Sequence, residues 1–296
     1  MRPSIASPKM WRHCGMPEGK MRAMRMSKQM SLAEAASLVP PRGASLAFGG
    51  ITLYRRPMAF ALALLARHQQ DTEPANLRLW SFTAGVESDL LIGAGMVEEV
   101  HTCYFGLEIF GLAPNFTTAA SRGRIRIIEE TEASFAYGLR AGMAGVGFMP
   151  STAWQGTDLL KLRPDVRTIE DPYTGERLTA FPAIHVDLAA VHALEADHAG
   201  NARLGGNQGV DRELTLVADM VIVTAEKVVP ALDQADILGT VVTAVVEAPQ
   251  GAWPTSCHPY YPLDGEAILG YIEHASQEGF SEILDGWYTR HGIRSS

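Results

Sequence analysis

Apolar and polar positions alternate with two periods along this chain, and the periods themselves alternate. Short runs such as "SLAFGG", "LRLWSFT" and "VEEVHTCYF" carry the β-branched, aromatic and aliphatic content of strands. Between them stand segments of helical spacing, "MAFALALLARH", "ESDLLIGAG" and "ASFAYGLRAGMAG", the last two closed by glycine. Ser31 with Glu34 three residues on has the spacing of a capping box and opens a first helix. Pro57 stands where a missing N–H costs nothing, at the first position of the "MAFALALLARH" helix. "FTTAASRG" reads as a short helix and "IRIIEE" as a strand. "TIEDPYTGERLTAFPA" reads as a hairpin turning at Thr174–Gly175. The alternation then resumes with "VDLAAVHAL", "DRELTLVAD", "MVIVTAEKVV" and "TVVTAVVEAP", and two helices end the chain, "GEAILGYIEHAS" and "SEILDGWYTRHG".

Strands and helices in this order imply βαβ units. The fold class they predict is α/β: a doubly wound, mostly parallel sheet with helices on both faces. The first 25 residues stand apart. They carry repeated methionines and basic side chains without apolar periodicity, and read as a disordered or untranslated extension, with Met26 as an alternative start. Residues 26–296 form one domain, with neither an internal repeat nor a Pro-, Gly- or Ser-rich linker.

A formal net charge of -8 supplies no general basic footprint, which argues against nucleic acid as a partner. No apolar run approaches the roughly 20 residues of a membrane span. Cys14, Cys103 and Cys257 are widely separated and odd in number, which points to a reducing, cytoplasmic setting without disulfides.

In an open parallel sheet, ligands collect at the carboxyl ends of the strands. That rule selects Gly49–Gly50, Thr83–Gly85, Gly106–Glu108, Glu130–Glu132, Ala193–Asp197 and Ala248–Gly251. The glycine pair matches neither dinucleotide nor P-loop fingerprints, and it serves either close ligand approach or tight packing. Arg55 and Arg56 stand at a helix start, where the dipole disfavours a cation. They are expected to be held by something acidic, a ligand phosphate, a carboxylate or a partner chain, or else to be a surface pair. His185, His192 and His198 have no metal-ligand spacing, and His192, inside an apolar run, is expected to be buried with its ring satisfied; no metal is expected. No GxSxG elbow is present, and no cysteine has a base at a telling spacing. Carboxylates remain: Glu108 and Glu132 fall just after predicted strands, and Glu129 and Glu130 end one and are read as edge residues.

Five segments, "FGGITLYRRPMAF", "LLIGAGMVEEVHTCYFGLE", "LRAGMAGVGFMP" followed by "GTDLL", "HALEADHAGNARL" and "VVEAPQGAWPTSCHPYY", together resemble the α subunit of family I CoA-transferases, glutaconate CoA-transferase type. The likeness spans about residues 26 to 290. It implies an obligate β subunit of similar fold, in an αβ or α2β2 complex. The implied reaction moves CoA from an acyl-CoA to a free carboxylic acid by ping-pong steps. A glutamate of the β subunit would be the nucleophile, so none is assigned to this chain. No cofactor would be permanently bound, and the CoA thioester would be a substrate. Together with the strand-end rule, which selects Gly85 and Glu108, the resemblance makes Gly49, Gly50, Arg55 and Arg56 substrate-binding candidates, with either arginine meeting a substrate carboxylate or the partner. A related branch hydrolyses carbon–carbon bonds in CoA thioesters of steroid degradation, and its base is a glutamate of the α-type subunit. Glu132 stands at about that position, but Ser151 and Thr152 follow Pro150 where that branch has an arginine. A third reading is a non-catalytic acyl-CoA or carboxylate-binding protein that needs no partner.

Overall fold

The computed structural model describes residues 28–275 and 280–293; Cys14 and the alternative start at Met26 lie outside the described residues. A seven-stranded sheet forms the centre, and every pairing in it is parallel. Its strands are β1 (Ser45–Phe48), β2 (Leu77–Ala84), β3 (Val97–Phe105), β4 (Arg126–Glu129), β8 (Val186–Ala193), β11 (Ala218–Ala225) and β13 (Ala244–Glu247). The spatial order is β13-β11-β8-β1-β2-β3-β4. The chain runs outward from β1 through β2 and β3 to β4, then crosses back to β8 on the other side of β1. The direction of winding therefore reverses between β1 and β8, the kind of place where parallel sheets open a crevice at their carboxyl ends.

Helices cover both faces. Against one pack α1 (Leu32–Ser37), α2 (Met58–Asp71), α3 (Val86–Gly93) and the terminal helices α8 (Gly265–His274) and α9 (Phe280–Arg290), in the main core with Leu46, Leu79 and Val100. Nine consecutive residues of α2, Met58 to Ala66, are buried, so this helix is apolar all round because it is enclosed all round. On the opposite face α5 (Glu132–Ala144) and α7 (Asp211–Val217) bury Phe135, Leu139, Leu214 and Val217 against Ala47, Ala189 and Phe82. A short helix α4 (Pro114–Ser121) connects β3 to β4.

The capping box at Ser31 and Glu34 is present. Pro57 sits one place earlier than expected, at the N-cap, and Met58 is the first helical residue. The predicted hairpin is there as β6 (Arg167–Glu170) and β7 (Arg177–Pro182), and β5 (Phe148–Ser151) joins it to make an antiparallel sheet of order β5-β7-β6, with a short α6 (Leu159–Leu162) between. A second small sheet, β10-β9-β12, stands beyond the end of β8 and was not readable from its very short strands: β9 (Glu195–Asp197), β10 (Ala202–Arg203) and β12 (Val228–Val229). Among the described residues no helix is long and apolar enough to cross a membrane.

Candidate functional site at the strand carboxyl ends

The loop after β1 lies over the carboxyl ends of β1 and β2, and its backbone is unusual. Gly50, Thr52 and Arg55 all have positive φ, at 83°, 49° and 52°. Two of the three are not glycine, a conformation held only where the surroundings over-determine it. Gly49 has no room for a side chain, because a Cβ there would stand 2.6 Å from Val191 Cγ1 and 2.7 Å from Asp211 Oδ1. At Gly50 a Cβ would meet the Arg55 carbonyl oxygen at 2.6 Å.

Both arginines are fully buried. Arg55 pairs with Asp211 at 2.9 Å and donates to the carbonyls of His192 (2.8 Å) and Asn207 (2.7 Å). Arg56 pairs with Glu87 and donates to the Gly50 carbonyl at 3.0 Å. The expectation of an acidic partner holds, but the acids belong to this chain. The reading of Arg55 or Arg56 as a contact to substrate or to the β subunit is therefore corrected: both guanidinium groups are engaged inside the fold. Gly49, Gly50 and Gly85 are all buried. Gly49 donates its N–H to Ala190 and Gly50 to Asp211, while Gly85 N–H reaches Glu87 Oε1 at 3.3 Å. At Gly49 and Gly50 the close packing leaves no space for a Cβ.

Asp211 and Glu87 were missed by sequence reasoning. Each lies in the first turn of a helix, where a carboxylate is favoured. That local signal was legible; the pairing across 156 and 31 residues was not. Burial pushes the Asp211 carboxyl up, and the Arg55 charge and the Gly50 N–H oppose that shift.

Glu108 and Glu132 behave differently, for both are exposed. Glu108 opens a short 3-10 turn after β3, has φ 55°, and donates its backbone N–H to Tyr104 Oη at 3.2 Å. Glu132 begins α5, directly after the Thr131 cap. Thr131 is tied down three times: its Oγ1 accepts from Ser134 N–H at 3.1 Å and from Trp154 Nε1 at 2.8 Å, and its own N–H donates to Ser134 Oγ at 2.8 Å. Beside it Glu130 is no edge residue. It is buried, paired with Arg163 at 2.7 Å, and accepts from Ser134 Oγ at 2.6 Å. Cys103 lies close by, and burial with the charges of Glu130 and Glu132 pushes its thiol up to about 12. A thiol so raised carries little thiolate near neutral pH, which makes it a poor nucleophile.

Of the three histidines, His185 and His198 are exposed and His192 is fully buried. The His192 ring is satisfied as expected, through Thr224 Oγ1 at 2.9 Å and Glu226 Oε1 at 2.8 Å. Burial lowers its pKa, with Glu226 opposing. His192, Glu226 and Cys257 bring one ligand atom each within 4.8 Å of one another, the single such group among the described residues. Glu226 is already hydrogen-bonded to Tyr261 Oη (2.5 Å) and Gln250 N–H (2.7 Å), and burial beside it lifts the Cys257 thiol to about 12. A metal ion would have to displace this complete network.

The coenzyme A transferase family model matches residues 29–248. The chain is 32% identical over 268 residues to the A-type subunit of 3-oxoadipate CoA-transferase from Pseudomonas knackmussii, covering 88% of this chain and 93% of that one. It is 29% identical to the A-type subunit of glutaconate CoA-transferase from Acidaminococcus fermentans, over 88% of each chain. The crystal structure of glutaconate CoA-transferase from that organism superposes with a TM-score of 0.80, covering 90% of this chain and 91% of that one. A cholesterol ring-cleaving hydrolase IpdA subunit of Rhodococcus jostii is 30% identical, covering 85% of this chain and 88% of that one. The structure of the decarboxylase AibA/AibB superposes with a TM-score of 0.83 at 31% identity, covering 90% of this chain and 99% of that one.

Proposed function

This chain belongs to the coenzyme A transferase family, and from that premise we propose that it is the A-type subunit of a heteromeric enzyme. The enzyme transfers CoA from an acyl-CoA to a free carboxylic acid, and a B-type subunit completes the cleft.

The observation that carries this reading is the pairing of family with site. Near full-length likeness to the A-type subunits of two CoA-transferases coincides with strand ends that hold no activated nucleophile of their own among the described residues. Cys103 and Cys257 are held as thiols, and Arg55, Arg56, Asp211 and Glu87 are locked together. The nucleophile, a glutamate in this reading, comes from the partner. Its carboxylate attacks the thioester carbonyl and expels the CoA thiolate, leaving a mixed anhydride. The thiolate then attacks the glutamyl carbonyl and releases the donor acid, so CoA rests on the partner as a glutamyl thioester. The acceptor acid runs the same two exchanges backwards. No group outside the two subunits and their substrates is required, and both αβ and α2β2 assemblies suit this scheme. This chain supplies a wall of exposed groups around Glu108 and Glu132.

A second reading is supported by one specific observation: Glu132 is exposed at the start of a well-anchored helix, and a ring-cleaving hydrolase subunit is 30% identical. There Glu132 would be a base, although Ser151 and Thr152 follow Pro150. Co-expression with a B-type subunit decides between the two. CoA transfer from succinyl-CoA to glutaconate or 3-oxoadipate supports the transferase. Consumption of a cyclic CoA thioester with no acceptor acid supports the hydrolase.

A further inference from the structure

The two buried ion pairs converge on the backbone of one residue, gripping the two peptide units on either side of Gly50. Asp211, paired with Arg55, accepts the Gly50 N–H at 2.8 Å; Arg56, paired with Glu87, donates to the Gly50 carbonyl at 3.0 Å. All four side chains are fully buried. Stability alone is a poor reason for this arrangement, since desolvating two pairs costs about as much as their attraction returns, and apolar replacements are often as stable. Moreover, Arg55 Nε, Arg56 Nε and Glu87 Oε2 are buried without a hydrogen-bond partner. What the pairs do achieve is to fix a backbone that would otherwise relax. Positive φ values at Gly50, Thr52 and Arg55 crowd into six residues. Beyond Gly50, Thr52 N–H is held by Thr83 Oγ1 at 2.9 Å, and Ile51 and Tyr54 exchange backbone hydrogen bonds. The half-buried Ile51 and Thr52 are thereby set out at the carboxyl ends of β1 and β2.

We propose that Asp211, directly, and Glu87, through Arg56, are positioning residues for CoA transfer: they lock the Gly50 backbone so that Ile51 and Thr52 form a rigid wall of the acyl cleft. This rests on the proposed transferase reaction. A rigid wall matters there because the same site must align the donor thioester and then an acceptor acid against one carboxylate, and small misplacements cost large factors in rate.

The test uses the intact complex and the double variant Arg56→Met/Glu87→Leu, which removes one pair without stranding a charge, with Glu87→Gln as a milder second variant. Two readouts are taken: amide hydrogen exchange over residues 50–54, and kcat and KM for CoA transfer from succinyl-CoA. Faster exchange in this loop, with kcat down tenfold or more and KM for succinyl-CoA changed less than twofold, is the expected result. Unchanged loop exchange in both variants overturns the proposal, and so does faster exchange with unaltered kcat. If the wild-type complex transfers no CoA, the transferase reading fails by itself, while the exchange data still decide whether the pairs hold the loop.

Discussion

Gly50 gives its N–H to the Oδ1 atom of Asp211, 161 residues later in the chain, at 2.8 Å. That bond joins the turn after the central strand to the first residue of α7, and it explains why the turn is built on glycine. With φ at 83° and the Arg55 carbonyl 2.6 Å from any Cβ, Gly50→Ala must move backbone. Its expected cost is about 2–4 kcal/mol. Denaturant unfolding of the variant measures it; a loss below about 1 kcal/mol would mean that the loop yields readily.

Arg163 and Glu130 form a buried pair that ties the chain before β6 to the cap of α5. Arg163→Ala leaves the Glu130 carboxylate buried without its counter-charge, and destabilisation of about 3 kcal/mol is expected. The pair replacement Arg163→Met/Glu130→Leu should recover most of that loss. Equal losses in the single and double variants would contradict the assignment.

Asp89 gives the clearest pH dependence. Burial lifts its carboxyl to about 6, against hydrogen bonds from Tyr271 Oη and the N–H groups of Phe116 and Asn115. A folded pKa above the unfolded value means that the native state holds this proton more tightly. The contribution is full below the ordinary value of 3.8 and is lost as pH rises through about 6. Its size is about 3 kcal/mol. Urea unfolding of wild type and Asp89→Asn from pH 3 to 8 should show wild type losing stability relative to the variant between about pH 4 and 6, with no further change above about pH 7. His291 acts with the opposite sign, because burial lowers its pKa to about 4; its contribution is present above its ordinary 6.5 and is lost as pH falls through about 4.

Glu132→Gln separates a base from a bystander. With the nucleophile on the partner, CoA transfer should survive within about tenfold, since no proton transfer by Glu132 is needed. A fall beyond about a thousandfold would make Glu132 the chemical centre and favour the hydrolase.

Much of the fold was legible because the periodic segments are long and clean. β3, at Val97–Phe105, coincides with the run "VEEVHTCYF", and α2 and α5 begin and end within a few residues of their patterns. Where local signals were weak the reading stopped. Phe148–Ser151 is only four residues and contains Pro150, so nothing in it announces the strand that completes the β5-β7-β6 sheet. At the site, a pair of arginines beside a helix start correctly demanded acids. Which acids could not be read, since Asp211 comes to Arg55 only through the return of the chain to the far side of β1. Glu130 looked like an edge residue because it directly follows the end of a strand; Arg163, brought over it by the segment beyond β5, buries it.

If this chain shapes a cleft whose nucleophile belongs to its partner, the covalent intermediate must form on that partner. The direct measurement is to incubate the two-subunit complex with succinyl-CoA, treat it with borohydride, and map the peptides of both chains by mass. A reduced glutamate on the B-type subunit, with none on this chain, is the predicted result. A reduced glutamate in this chain would contradict it, as would a complex that transfers CoA while leaving no trapped thioester on either chain.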